Sequence, residues 1–330
     1  MKVRFATVGT SKITEKFLEA ASSCSDFVLE AVYSRSLERA VKFSERCHAK
    51  RYYDSLDALA SDQDIDAVYI ASPNHMHARQ AVFLMEHGKH VLCEKALASN
   101  LREGQRMFRC AEENDVLLME AMRSVHDPGY EIMRKNLRKL GKIRRARFSF
   151  CQYSSRYDAF REGKRQNIFD LSCSAGALMD IGIYCIEALI GLFGEPDSVS
   201  AAAVKLRGGI DGAGTILASY PEMVAELIYS KITADDLPCV IEGEKGSMYI
   251  GAAADPGDLC IHYTDGRKER ISSAESSGNN MKYELEDFLK AINAGDRMER
   301  FRKISEASLK LADEARRQTG IRFPADGEDE

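Results

Sequence analysis

Residues 3–14 read VRFATVGTSKIT, and the change of pattern inside them decides the fold. Val3 to Val8 is a short β-rich apolar run, Gly9 and Thr10 break it, and a helical pattern follows over 12–23. The same two-part unit then recurs. FVLEAVYS (27–34) precedes a helical pattern over 36–48, AVYIAS (67–72) one over 75–88, and HVLCEK (90–95) one over 100–115, after which VLLMEA (116–121) ends the series. Neighbouring parallel strands need a crossover connection, so strands that alternate with helices imply a parallel sheet. These strands are nearly continuous apolar runs, the form expected when helices cover both faces.

Past residue 122 the pattern changes. A helical stretch over 128–139 leads to IRRARFSFCQY (143–153), which alternates as a strand, then to a charged loop over 154–170 and a helix of small residues over 175–193. Seven closely spaced strands follow between 198 and 272: SVSAAAVKL, GTILASY, MVAELIYSKI, PCVIEGE, GSMYIG, DLCIHYT and RKERIS. Gly, Pro and Asp turn signals separate them, which implies an antiparallel or mixed sheet. Helices over 280–293 and 302–318 close the chain, and PADGEDE (324–330) reads as a frayed acidic tail. The expected organisation is a doubly wound α/β domain over 1–122, then a second α/β domain over 123–330 whose sheet is open and mostly antiparallel.

A length of 330 residues suits two such domains, and 45% hydrophobic with 29% charged residues excludes a disordered or fibrous chain. A formal charge of −5 gives no general attraction to nucleic acid, which leaves a small molecule or a protein as the expected partner. The apolar stretch of MKVRFATVGT is too short for a secretory signal. No run approaches the roughly 18 apolar residues of a membrane span, so the expected compartment is the cytoplasm. Nine scattered cysteines form no C-x-x-C pair and read as free, mostly buried thiols, with no metal site expected.

Gly9-Thr10-Ser11-Lys12-Ile13-Thr14 lies where a dinucleotide-binding loop belongs, between the first strand and the first helix. Only the first glycine of G-x-G-x-x-G is present. Ser11 and Thr14 hold the other places, so the loop is either a pyrophosphate cradle that tolerates a small Cβ or a plain strand-to-helix turn. At the end of the second strand an acidic residue would hold the ribose hydroxyls of NAD, whereas an arginine accommodates a 2′-phosphate. Ser34 and Arg35 stand there and favour NADP, with an N-cap serine beside a solvated arginine as the bland alternative.

Ser72, Pro73, Asn74, His75 and His77 follow the third apolar strand, and Glu94 and Lys95 end the next one. Ligands of open α/β sheets gather beyond the carboxyl ends of the strands, so all of these face the expected crevice. A lysine there can hydrogen-bond a reacting oxygen and stabilise alkoxide character. Asn74 reads equally as a helix cap, and Glu94-Lys95 as a surface ion pair. In GALMDIGIYCIE (176–187), Asp180 and Tyr184 are four apart on a helical pattern and share one face. A carboxylate and a phenol so placed orient a substrate hydroxyl and pass its proton, unless Tyr184 is simply a core tyrosine.

Taken in order, VGTSKIT, YSRS, SPNHMHARQA, EKALA, EAM (120–122) and GALMDIGIYC resemble the glucose-fructose oxidoreductase / inositol dehydrogenase (Gfo/Idh/MocA) family over nearly the whole chain. The resemblance implies an N-terminal Rossmann domain and a C-terminal α/β domain whose open sheet forms the interface of a homodimer or homotetramer. The family's E-K-P motif matches Glu94-Lys95, with Ala96 in the proline position. Its frequent D-x-x-x-H helix motif ends here in Tyr184, which is similar to the branch containing glucose-fructose oxidoreductase and the dimeric dihydrodiol dehydrogenase. That branch implies Lys95 as the oxygen-polarising group, Tyr184 as proton donor or acceptor and Asp180 as substrate positioner.

The same likeness implies cofactor contacts from Gly9, Thr10, Ser11, Ile13, Ser34, Arg35, Ser72, Pro73, Asn74, His77, Glu94 and Lys95. It adds Arg123, where the branch often carries tryptophan, and it implies substrate contacts from Asn167 and Phe169 in QNIFD. The activity so implied is transfer of a hydride between NADP, or NAD, and a secondary alcohol or ketone of a sugar, polyol or dihydrodiol-like substrate. Two other classes keep the same fold. One is a nucleotide-binding regulator or scaffold, favoured by the incomplete glycine loop and the missing proline. The other is an NAD-assisted lyase or glycosidase, since fold does not fix reaction.

Overall fold

The five recurrent apolar runs become the strands β1 (Val3–Val8), β2 (Phe27–Tyr33), β4 (Ala67–Ile70), β5 (His90–Glu94) and β6 (Leu118–Ala121), and a short sixth strand, β3 (Arg51–Tyr53), joins them. The structure is a computed structural model that describes residues 1–272 and 279–327. The six strands form one sheet in the order β3-β2-β1-β4-β5-β6, every neighbouring pair parallel. Strand order reverses between β1 and β4, and in such sheets the crevice beyond the carboxyl ends at the reversal is where ligands bind. β3 and the helix Leu56–Ser61 are absent from the sequence reading, because a three-residue, half-exposed edge strand is too short to show a period.

The chain divides into two units, Met1–Ala121 with Met281–Lys303, and Met122–Asn280 with Ile304–Glu330. The expected linear division therefore needs correcting for residues 281–303, which belong with the first unit. The cause is the apolar face of the helix Met281–Ala294: Met281, Leu285, Phe288 and Leu289 enter one buried cluster with Phe5, Phe17, Tyr69 and Leu92. Phe17 stacks on Tyr69 with centroids 3.7 Å apart, and Phe288 closes on Phe5 at 6.0 Å.

Among its described residues the second unit contains eight strands: β7 (Ile143–Cys151), β8 (Ser198–Lys205), β9 (Asp211–Ser219), β10 (Val224–Ser230), β11 (Cys239–Gly243), β12 (Gly246–Ala252), β13 (Asp255–Tyr263) and β14 (Lys268–Arg270). Their order is β14-β13-β12-β11-β7-β10-β9-β8, antiparallel throughout except for the parallel pair β7 and β10. The helix Ile183–Phe193 covers one face, with every residue from Ile183 to Ile190 buried. Leu171–Phe193 is, among the described residues, long and apolar enough to cross a membrane, contrary to the sequence expectation that no run comes close. Its most apolar window is 78% buried inside the protein, as in a core helix.

On the opposite face of this sheet Val204, Leu217, Val224 and Tyr249 are each at least 37% exposed, and the strand registers place them on one side. All nine cysteines are free thiols, six of them buried. The expected fraying of the tail is corrected over 324–327. Pro324–Asp326 forms a single 3₁₀ turn, and Asp326 accepts a 2.6 Å hydrogen bond from Arg316, a guanidinium only 3% exposed. Residues 328–330 lie outside the described residues.

Candidate functional site

In the first unit, the expected cofactor residues gather at the carboxyl ends of β1, β2, β4 and β5. Gly9 has φ +115°, and a Cβ built on it would lie 2.7 Å from the carbonyl oxygen of Ala71. The end of β1 thus passes the end of β4 at a distance that only glycine allows. Ser11 is the N-cap of the helix Lys12–Ala21; it is exposed and its hydroxyl makes no cap hydrogen bond. Thr10 is half-buried, and Ile13 packs against the core cluster, which holds the first turn of that helix on the sheet. The first-turn N–H groups of a helix have no intrahelical acceptor, and an anion is favoured at such an end.

Beyond β2, the capping alternative is realised by Ser36, whose hydroxyl accepts from the Arg39 N–H at 3.4 Å and whose own N–H donates to the Ser34 hydroxyl at 3.4 Å. Arg35 is exposed and, among the described residues, forms no hydrogen bond or ion pair. Beyond β4, the Ser72 hydroxyl donates to Gln80 at 2.6 Å, while Pro73 leads into the 3₁₀ turn Asn74–Met76. The N-cap position of the helix His77–Glu86 falls on Met76, which makes no side-chain cap hydrogen bond, and Asn74 stands in the turn before it.

Two residues expected on the cofactor are placed differently. His77 is fully buried, with Nε2 at 2.8 Å from the Ser72 carbonyl and Nδ1 at 3.0 Å from the Ala96 carbonyl. It clamps the loops after β4 and β5 to each other, and burial pushes its imidazole below the ordinary value. Glu94 is 7% exposed and accepts a 2.5 Å hydrogen bond from Tyr69, so one carboxylate oxygen is bound to a buried neighbour of its own unit. The reason in both cases is the same. A polar side chain at a strand end satisfies buried neighbours first, and periodicity cannot distinguish the inward from the outward direction there.

Lys95 is half-buried at the end of β5. The peptide bond that joins it to Ala96 is cis. The following loop is pinned without the family's proline: His77 holds the Ala96 carbonyl, Glu120 accepts from the Leu97 N–H at 2.8 Å, and Glu103 from the Ser99 N–H at 2.9 Å.

In the second unit, the segment before the helix Ile183–Phe193 is a π-helical turn, Leu178–Gly182, which carries Asp180. A wide turn of this kind recurs at functional sites. Its start is held by Asp211, which accepts from the Leu178 N–H at 2.6 Å. Burial pushes the Asp211 carboxyl up to about 6. Tyr184 follows one turn after Asp180. It is 7% exposed, with its ring edge-on to Phe150 at 5.6 Å. Arg123, expected on the cofactor, donates from Nε to the Tyr184 hydroxyl at 3.4 Å and from Nη1 to Asn280 at 3.1 Å. Asn280 donates in turn to Asp127 at 3.1 Å. Arg123 therefore links the phenol to Asn280 and Asp127 within its own unit.

Of the two expected substrate residues, Asn167 is exposed, whereas Phe169 is 4% exposed and packs on Phe160 at 4.9 Å and Tyr157 at 5.7 Å. Both belong to the loop beside an open cavity of about 410 Å³ whose rim carries Lys164, Arg165 and Arg207. One residue that the sequence reading missed is Lys231. Its ammonium lies 2.6 Å from Asp180 Oδ2, with the lysine side chain 8% exposed and the aspartate 26%. A signal was present: Ala225, Leu227 and Tyr229 are the buried alternates of β10, and Lys231 continues their period.

Comparison with known proteins identifies the family. A family model described as "Oxidoreductase family, NAD-binding Rossmann fold" matches residues 3–122, and the GFO/IDH/MocA C-terminal domain model matches residues 135–249. The chain is 45% identical over 327 residues to a scyllo-inositol 2-dehydrogenase (NADP(+)) of Bacillus subtilis (strain 168), covering 98% of this chain and 99% of the relative. It is 28% identical over 342 residues to the trans-1,2-dihydrobenzene-1,2-diol dehydrogenase of Mus musculus, covering 99% of both. Among solved structures, a 3-ketoreductase from Actinomadura kijaniata in complex with NADP and TDP-benzene superposes with a TM-score of 0.86 at 23% identity, covering 97% of this chain and 98% of the other. A levoglucosan dehydrogenase in complex with NADH gives 0.84 at 19% identity with the same coverage. These last two likenesses concern the fold.

Proposed function

Since the chain belongs to the Gfo/Idh/MocA oxidoreductase family, we propose that it is an NADP-preferring dehydrogenase that interconverts a secondary alcohol and a ketone on a polyol or sugar-like substrate. The observation that carries the cofactor choice is Arg35, an exposed guanidinium, unpaired among the described residues, at the end of β2, where a 2′-phosphate would lie. Gly9 fits the same group, because its φ of +115° lets the chain turn from β1 into the helix Lys12–Ala21, whose N-terminus would receive a pyrophosphate. The nicotinamide, when bound, accepts or supplies the hydride.

The protein's part is binding, orientation and proton handling. Lys95 donates to the reacting oxygen and stabilises the negative charge that develops on it. Tyr184 takes or returns the hydroxyl proton, its oxygen already receiving the Arg123 N–H. Asp180 accepts a hydrogen bond from a substrate hydroxyl. The pinned loop after Lys95 keeps the ammonium from wandering, as a group that must act within a hydrogen-bond length requires.

The test is calorimetric titration of cofactor-free protein with NADPH and NADH in parallel. The expected result is a preference for NADPH of about tenfold or more, lost in Arg35→Ala with NADH affinity unchanged. Binding of neither nucleotide would sink the dehydrogenase reading.

The apolar side chains on the outer face of the second sheet support pairing of two or four copies through it. A molar mass of one chain by light scattering at micromolar concentration would remove that assignment.

A further inference from the structure

We infer that Lys231 is a positioning residue for substrate recognition: it fixes Asp180 as a hydrogen-bond acceptor and so selects a neutral polyol that carries a second hydroxyl beside the reacting one. This inference rests on the dehydrogenase reading and goes beyond it to the substrate class.

The backbone of Lys231 is fixed on both sides, since its N–H donates to the Gly212 carbonyl at 2.8 Å and its carbonyl accepts from the Ser154 N–H at 2.9 Å. Its side chain continues the buried face of β10 and ends 2.6 Å from Asp180 Oδ2. A buried ion pair at such a place is weak as a source of stability, because desolvation of both ions offsets their attraction, and an apolar side chain would serve the core as well. What the pair does supply is direction. The ammonium only donates, and it lies deeper than the carboxylate, so it binds Asp180 from below and limits its rotation.

Asp180, the more exposed partner, stands one turn before Tyr184 on the same segment. A salt-bridged carboxylate accepts hydrogen bonds and donates none. It therefore takes the O–H of an uncharged group and repels a carboxylate or a phosphate at that point. With the reacting carbinol at Tyr184, the group that meets Asp180 is a hydroxyl on a neighbouring carbon.

The experiment compares scyllo-inositol with cyclohexanol, which keeps the ring and one carbinol but lacks the neighbouring hydroxyls. Wild-type protein, Lys231→Met and Lys231→Arg are each assayed for kcat and KM with NADP⁺. NADPH affinity and inositol affinity of the NADPH-loaded protein are measured by calorimetry. In Lys231→Met the inositol KM is expected to rise by about tenfold or more, as for loss of a hydrogen bond to a charged group. The kcat, the NADPH affinity and the kcat/KM for cyclohexanol should stay near wild type, and Lys231→Arg should restore most of the loss.

An unchanged inositol KM overturns the inference. So does an equal fall for both alcohols, which is what a merely structural role would produce. If wild-type protein binds NADPH but oxidises neither alcohol, the dehydrogenase reading on polyols falls. The calorimetric arm then decides the role of Lys231: weaker inositol binding in Lys231→Met keeps it, and equal or absent binding removes it.

Discussion

Tyr184→Phe is expected to lower kcat by about a hundred- to ten-thousandfold, the range for loss of a positioned proton-transfer group, with NADPH affinity unchanged. The substitution is narrow in its effect. Phenylalanine keeps the ring that meets Phe150 edge-on at 5.6 Å and removes only the oxygen that Arg123 contacts. Lys95→Ala is expected to cost about a hundred- to a thousandfold in kcat, as for loss of one preorganised donor to a developing oxyanion. Steady-state rates with scyllo-inositol and NADP⁺, alongside calorimetry with NADPH, check both. A Tyr184→Phe enzyme with full turnover would take the phenol out of the mechanism and leave proton transfer to another group.

Gly9→Ala should be the most damaging single change in the first unit. The new Cβ would face the Ala71 carbonyl oxygen at 2.7 Å and its carbon at 3.0 Å, at a φ of +115° that alanine avoids. Strain and overlap together are expected to cost roughly 2–4 kcal/mol of stability. Moving the ends of β1 and β4 apart should also weaken NADPH binding by about a hundredfold, since the backbone N–H groups at the crevice would no longer converge. Gly88→Ala is the control: its φ is +73° but nothing lies within 4 Å of the added carbon, so the expected cost is about 1 kcal/mol. Thermal unfolding with and without NADPH separates the two effects. Wild-type melting and affinity in Gly9→Ala would mean that the close approach is not needed.

The parts of this molecule that sequence patterns disclose are those that repeat over several residues. The strands β1, β2, β4, β5 and β6 were visible as apolar runs followed by helical spacing, and Asp180 with Tyr184 as a pair one turn apart. The direction of a single polar side chain at a strand end has no such repeat. His77 and Glu94 therefore looked like crevice residues until coordinates turned one onto the Ser72 and Ala96 carbonyls and the other onto Tyr69. Arg123 was named as a cofactor contact, but its partners Tyr184 and Asn280 are remote in sequence and no pattern pairs them with it. Lys231 was legible in principle: it sits in register with three buried side chains of β10, and a charge in that register marks a partner that must also be buried.

The return of the helix Met281–Ala294 to the first sheet has a consequence for synthesis on the ribosome. Ala121 and the strands before it leave the exit tunnel long before this helix does, with roughly 160 residues made in between. At about 5–20 residues per second the nascent first unit spends on the order of ten seconds with the core cluster of Phe5, Phe17 and Tyr69 lacking its final cover. Its Rossmann half therefore finishes folding late, after most of the other half has been translated. During that interval the nascent chain is at its most vulnerable to aggregation and to capture by chaperones.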